Sequence, residues 1–163
     1  MDDINRSEDA LISGLQTRFS QALQARQRGD VDGAAELLRG ILKVEPRLAE
    51  PRMELANILM GADQLEEAEE HLREAIRVLE TGGQWTEDLS EEVVLSLAYG
   101  TLGEVLRRKA DSDDIVFGDP GVFEGLIREA KSAFLKAAAL DPDNAHAGYW
   151  SFDPRRRGTA VEE

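Results

Sequence analysis

Apolar residues recur three and four positions apart along most of the chain, which is the spacing of a helix face and not the alternation of a strand. Ala34, Leu38 and Ile41 form one such stripe, Ala68, Leu72 and Ala75 a second, and Ala130, Phe134 and Ala137 a third. Leu55 with Leu59, and Leu102 with Leu106, stand one turn apart on further helices. The punctuation agrees. Gly29-Asp30 offers a stop and then a cap, Glu45-Pro46 ends a helix, Asp119-Pro120 places an N-cap ahead of an N1 proline, and Asp141-Pro142 opens a short helix. The pattern predicts helices near 8–28, 31–44, 49–61, 64–80, 88–109, 121–140 and 143–150.

The stripes return at a fixed interval. Thirty-four residues separate Ala34 from Ala68, Leu38 from Leu72 and Ile41 from Ala75, and Ala130, Phe134, Ala137 and Pro142 restate Ala34, Leu38, Ile41 and Pro46. Upstream of each run lies a second signature, in which Arg52, Leu55, Ala56 and Leu59 match Tyr99, Leu102, Gly103 and Leu106 in spacing. The latter set reads Y-x-x-L-G-x-x-L and resembles the W-x-x-L-G-x-x-Y of the tetratricopeptide repeat. A more degenerate first copy has Arg18, Gln21, Ala22 and Ala25 at the same four positions.

The resemblance covers about residues 15–145. It implies a single domain over 1–150 with repeats at about 15–48, 49–82 and 96–144, and a flexible acidic and basic tail at 151–163. The implied fold is all-α, a right-handed superhelix of antiparallel helix pairs around a concave surface, because one pair cannot bury its apolar face alone. Small residues at Ala56 and Gly103 are expected to let a neighbouring helix approach closely. Two insertions depart from the family's regularity: residues 83–95, partly a loop at Gly82-Gly83-Gln84-Trp85, and residues 111–125 within the third repeat. The second places Ile115, Val116 and Phe117 after an acidic cluster, as a candidate docking loop. Only residues 144–150 remain to cap the array. Tyr149 and Trp150 are the expected cover, failing which a second subunit would supply it, giving a homo-oligomer through the C-terminal repeat.

In this family the first helix of each repeat lines a groove that takes peptide ligands. Carried over by spacing, the groove positions are Phe19, Leu23 and Arg26; then Met53, Asn57 and Met60; then Gly100, Glu104 and Arg107, with Arg108 beside them. Each triplet is spaced i, i+4, i+7 and so shares one helix face. Methionines suit an adaptable apolar surface and arginines suit a carboxylate, so the implied ligand is a protein or peptide with apolar anchors and an acidic group. The same apolar positions also suit plain inter-helix packing, and Arg107 and Arg108 suit intrahelical pairing on a solvated face. Some family members grip the acidic C-termini of heat-shock chaperones with Lys, Asn and Arg at set positions. Here those positions hold Phe19, Leu23, Glu54, Leu97 and Thr101, which is not that clamp.

Charge narrows the partner. At a formal net charge of −14 the chain lacks the basic track that nucleic acid requires, and anionic membranes are disfavoured for the same reason. No apolar run is long enough to span a bilayer, and the start Met1-Asp2-Asp3-Ile4 lacks the features of a secretory signal, so the expected location is cytoplasmic. Without cysteine there is no disulfide or thiolate site. His71 lies among acidic neighbours on a helix face, and His146 lies near Asp141, Asp143 and Asn144, where capping accounts for the carboxylates. Asp111, Asp113 and Asp114 do not make a calcium loop, because Val116 and Val122 stand where glycine and a bidentate Glu are needed. No metal, cofactor or catalytic activity is expected. The reading is a protein-binding adaptor or scaffold. The alternatives are a dedicated chaperone, like the three-repeat chaperones of type III secretion translocators, or a self-assembling structural subunit.

Overall fold

The computed structural model describes residues 2–83 and 88–152. Gln84 and Trp85 of the first insertion and the tail from Asp153 onward lie outside the described residues. Among the described residues there are eight helices: α1 Asp2–Gln27, α2 Val31–Val44, α3 Ala49–Gly61, α4 Leu65–Glu80, α5 Glu91–Ala110, α6 Asp113–Val116, α7 Pro120–Leu140 and α8 Ala145–Phe152. They stack as an all-α solenoid in which α1 pairs with α2, α3 with α4 and α5 with α7, while α8 packs against α7 at the end.

The 34-residue register is the register of the core. Ala34, Ala68 and Ala130 are fully buried, as are Leu38, Leu72 and Phe134, and Ile41, Ala75 and Ala137. On the first helices Ala22, Leu55, Ala56, Leu59, Leu102 and Leu106 are buried against them. Gly103 does what its size requires: the Phe134 ring occupies the space a side chain would need.

Caps set most boundaries. The Asp30 carboxylate accepts from the Gly33 amide at 2.9 Å, and Asp119 from Gly121 at 2.8 Å ahead of the N1 proline of α7. Three helix starts differ most from the pattern-based expectation. α1 starts at Asp2, since no glycine or proline interrupts the chain before Gly14, and Leu11 and Ile12 on this early stretch remain about half exposed. α5 starts at Glu91 because Ser90 caps it, its hydroxyl accepting from Val93 at 3.3 Å. α8 is opened by Asn144, whose side chain accepts from Ala147 at 3.1 Å. Asp141 is instead spent closing α7, and it folds its carboxylate onto the Asp143 amide in a local turn. The second insertion contains one unexpected helical turn, α6, following Ser112.

Candidate functional site

Helices α1, α3 and α5 carry the expected groove residues, and the structure divides them into two kinds. Phe19, Met53 and Met60 are partly buried and pack against the core while keeping exposed surface, and Leu23 and Asn57 are likewise half-buried. The arginines are committed to carboxylates of the chain itself. Arg26 on α1 pairs with Glu54 on α3, joining the first two repeats across the groove. Arg108 donates to Glu104 at 3.0 Å.

Arg107 departs furthest from its expected role of holding a ligand carboxylate. Its side chain is 11% exposed, donates to Glu104 at 2.6 and 3.1 Å and to Asp111 at 3.2 Å, and lies 4.5 Å below the Trp150 ring. Trp150 covers one face of the guanidinium and two carboxylates take up its edge, so it serves as the seat of α8. Trp150 also stacks 6.4 Å from Phe134, while Tyr149 remains about half exposed. Trp150 and Ala147, without Tyr149, therefore cover the last pair.

Glu104 is the hub of this end. Burial pushes its carboxyl up, but hydrogen bonds from Arg107 and Arg108 outweigh burial and hold it below the usual carboxylate range. His146 approaches within 3.6 Å and sets its ring edge against Phe134. Behind it, the buried Ser96 hydroxyl donates to the Ala137 carbonyl at 2.7 Å and accepts from the Asn144 amide at 3.0 Å, tying α5, α7 and α8 together.

A cavity of about 330 Å³ opens where α3, α5 and the start of α8 meet. Met60, Gly100, Glu104 and Arg108 from the positions carried over by spacing line it, together with Leu97, Thr101, Asn144 and His146. On α5 the lining is Leu97, Gly100, Thr101, Glu104 and Arg108, without Arg107. Arg107 is absent from the lining because α8 covers it, with Trp150 on its guanidinium. Leu97 is 45% exposed, an apolar side chain at the mouth of the cavity. The i, i+4, i+7 spacing of Leu97, Thr101 and Glu104 was the sequence signal for this face. What the sequence lacked was the position of α8.

Other polar sites are structural. His71 is half-buried rather than solvated on a helix face; it contacts Arg52 at 3.2 Å, and burial first and the Arg52 charge second lower its pKa. Glu69 joins α4 to α5 by accepting from Lys109 at 2.8 Å, and it also accepts from Arg73 at 2.9 Å. The Tyr99 hydroxyl, pushed up to about 12 by burial and by Glu80, donates to that carboxylate at 2.5 Å. No helix of the described residues is long and apolar enough to cross a membrane, and none of their His, Asp and Glu clusters could hold a metal ion.

Residues 25–86 match the tetratricopeptide repeat family. Among solved structures the chain is similar to the first tetratricopeptide repeat domain of Spaghetti (RPAP3) bound to the HSP90 peptide SRMEEVD. The TM-score is 0.61 at 13% identity, covering 85% of this chain and 87% of that one. Such identity speaks to the fold alone. No curated protein matches the sequence. Residues 25–86 thus carry tetratricopeptide repeat sequence, and the described chain as a whole has the fold of a tetratricopeptide-like solenoid.

Proposed function

We propose that this protein is a protein-binding adaptor whose concave face takes a peptide or helix of a partner, with Met60 and Leu97 as the principal apolar contacts. The observation that carries the reading is the open cavity between α3, α5 and α8, where a half-exposed Leu97 stands beside Met60 and Thr101. A concave, mostly apolar recess with a few polar groups is the usual form of a binding site. Phe19, Leu23, Met53 and Asn57 extend the same face toward α1.

The pairing of Arg26, Arg107 and Arg108 shifts the weight of the proposal onto apolar anchors. An acidic group on the ligand would meet Arg108, whose side chain is 43% exposed, in competition with Glu104. The solved neighbour holds an HSP90 peptide, but this chain has Phe19, Leu23, Glu54, Leu97 and Thr101 where the family's carboxylate clamp places Lys, Asn and Arg. An acidic chaperone C-terminus is therefore not the ligand proposed. Self-assembly through the last repeat is not proposed either, since Trp150 and Ala147 already cover Phe134.

A displayed peptide library selected on the wild-type protein and rescreened on Leu97→Arg tests the reading. Selected peptides should bind the variant at least about tenfold more weakly, a loss of about 1.4 kcal/mol. The variant's far-ultraviolet circular dichroism should be unchanged, because Leu97 is not in the core. Equal binding to both proteins would place the site elsewhere.

A further inference from the structure

Phe117, at the end of α6, is the most exposed large apolar side chain among the described residues, at 84%, and Val116 beside it and Val122 on α7 are about half exposed. Exposed carboxylates crowd this apolar turn: Asp113 and Asp114 on α6, and Asp119 just after it. The nearby cations are used elsewhere. Arg107 serves Glu104 and Asp111, Arg108 serves Glu104, and Lys109 reaches back to Glu69. The turn thus joins an uncovered aromatic ring to negative charge with little local compensation. Arginine fits that combination, since its guanidinium stacks on a ring while its hydrogens bond carboxylates. The chain already builds this arrangement once, with Arg107 over Trp150 and bonded to Glu104 and Asp111.

The same chain carries a source of arginine within reach. Helix α8 runs alongside α5 in the same direction: Asn144 meets Ser96, His146 meets Glu104 and Trp150 meets Arg107. It therefore points at the C-terminal end of α5 and the turn that follows. From Arg107 to Asp111 the helix advances only about 6 Å. Arg155-Arg156-Arg157 begins three residues after the end of α8 at Phe152, a reach of up to about 10 Å in extended chain.

We propose that Arg155-Arg156-Arg157 of this chain docks on the turn at 113–117, stacking on Phe117 and pairing with Asp113 and Asp114. The docked segment straps α8 to the insertion in the third repeat. It also fills a surface suited to a basic segment, so a basic partner binding there must displace it. This surface is separate from the groove.

The chain has no cysteine, so a nitroxide on Gly158→Cys is a unique label. The amide signals of residues 111–118 should broaden in the labelled protein. The broadening should vanish in Arg155→Gln/Arg156→Gln/Arg157→Gln, and weaken in Phe117→Ala and at about 1 M salt, where the screening length falls to about 3 Å. Phe117→Ala alters an exposed side chain and leaves the fold intact, so its result stands apart from stability. No broadening at 111–118, or broadening that survives the triple glutamine variant, overturns the proposal. Equal broadening of isotope-labelled, untagged chain mixed with tagged chain overturns it too, by assigning the contact to a second copy.

Discussion

A β-carbon at Gly103 would lie 2.8–2.9 Å from three atoms of the Phe134 ring, and that ring is fully buried. Gly103→Ala should therefore cost about 1–3 kcal/mol through overpacking, even though alanine is the better helix former. The denaturant midpoint should fall with the slope unchanged. If Phe134→Leu costs as much in the alanine background as in wild type, the steric explanation fails, because the two sites would then not be coupled. One residue along, Glu104 makes a pH prediction. Its folded-state pKa lies below the ordinary value because of Arg107 and Arg108, so on acidification the unfolded chain takes up the proton first. The stabilisation is whole above the ordinary carboxylate value of about 4.3 and is lost as pH falls toward the folded-state value. Trp150 fluorescence in a Trp85→Phe background reads the seat of α8 directly. There, Glu104→Gln should lower stability near neutral pH by about 1.5–3 kcal/mol, the worth of hydrogen bonds to a charged group, and should flatten the acid limb. An unchanged acid limb would mean that another carboxylate holds α8.

Three helices end in the same way, and the shared ending yields predictions of opposite sign. Gly29, Asp63 and Gly82 follow α1, α3 and α4 with φ of 84°, 60° and 86°. In each case the next amide bonds back five residues: Asp30 to Ala25 at 2.9 Å, Gln64 to Leu59 at 2.9 Å and Gly83 to Val78 at 2.8 Å. This is a left-handed C-terminal cap, which glycine adopts without cost and other residues adopt under strain. Gly29→Ala should destabilise by about 1–2 kcal/mol, whereas Asp63→Gly, in the equivalent place 34 residues on, should stabilise by up to about 1 kcal/mol. Thermal unfolding of both variants decides the matter, and shifts of the same sign would break the equivalence. These caps also mark how far the sequence could be read. Gly29-Asp30, Glu45-Pro46 and Asp119-Pro120 carry their own geometry, so those ends were legible, and the 34-residue stripes fixed which faces are buried. α6 was not legible, because one helical turn is shorter than any periodicity can reveal. Nor was the open face of α5, which depends on where α8 lies: eight residues held by Arg107, Glu104 and Ser96, partners whose spacing in sequence carries no period. Of the α5 positions carried over by spacing, Gly100, Glu104 and Arg108 line the cavity, and Arg107 turns from it to seat α8.

Each helix of this solenoid packs chiefly on its neighbours in order, so its stability is close to a sum of local pairings along one continuous core. The ion pairs follow the same plan. Arg26–Glu54 joins α1 to α3, Arg39–Glu67 joins α2 to α4, and Lys109–Glu69 joins α5 to α4, while nothing polar among these spans the whole array. An array of this kind should unravel from its ends, and the C-terminal end is closed by the smallest element. Removing α8 by truncation after Asp143 would uncover Phe134 and leave the buried Arg107 without Trp150, while α1–α4 would keep their main helix partners. Amide hydrogen exchange should then show protection lost over α5 and α7 and nearly retained over α2–α4, because exchange reports opening free energies segment by segment. The truncated chain should also self-associate with rising concentration, since a second molecule can cover the exposed face that α8 covers in the intact chain. Uniform loss of protection across all the helices would show instead that the array opens as one cooperative unit. In that case α8 would be stabilising the groove at a distance, through the whole stack, and not only through the helices it touches.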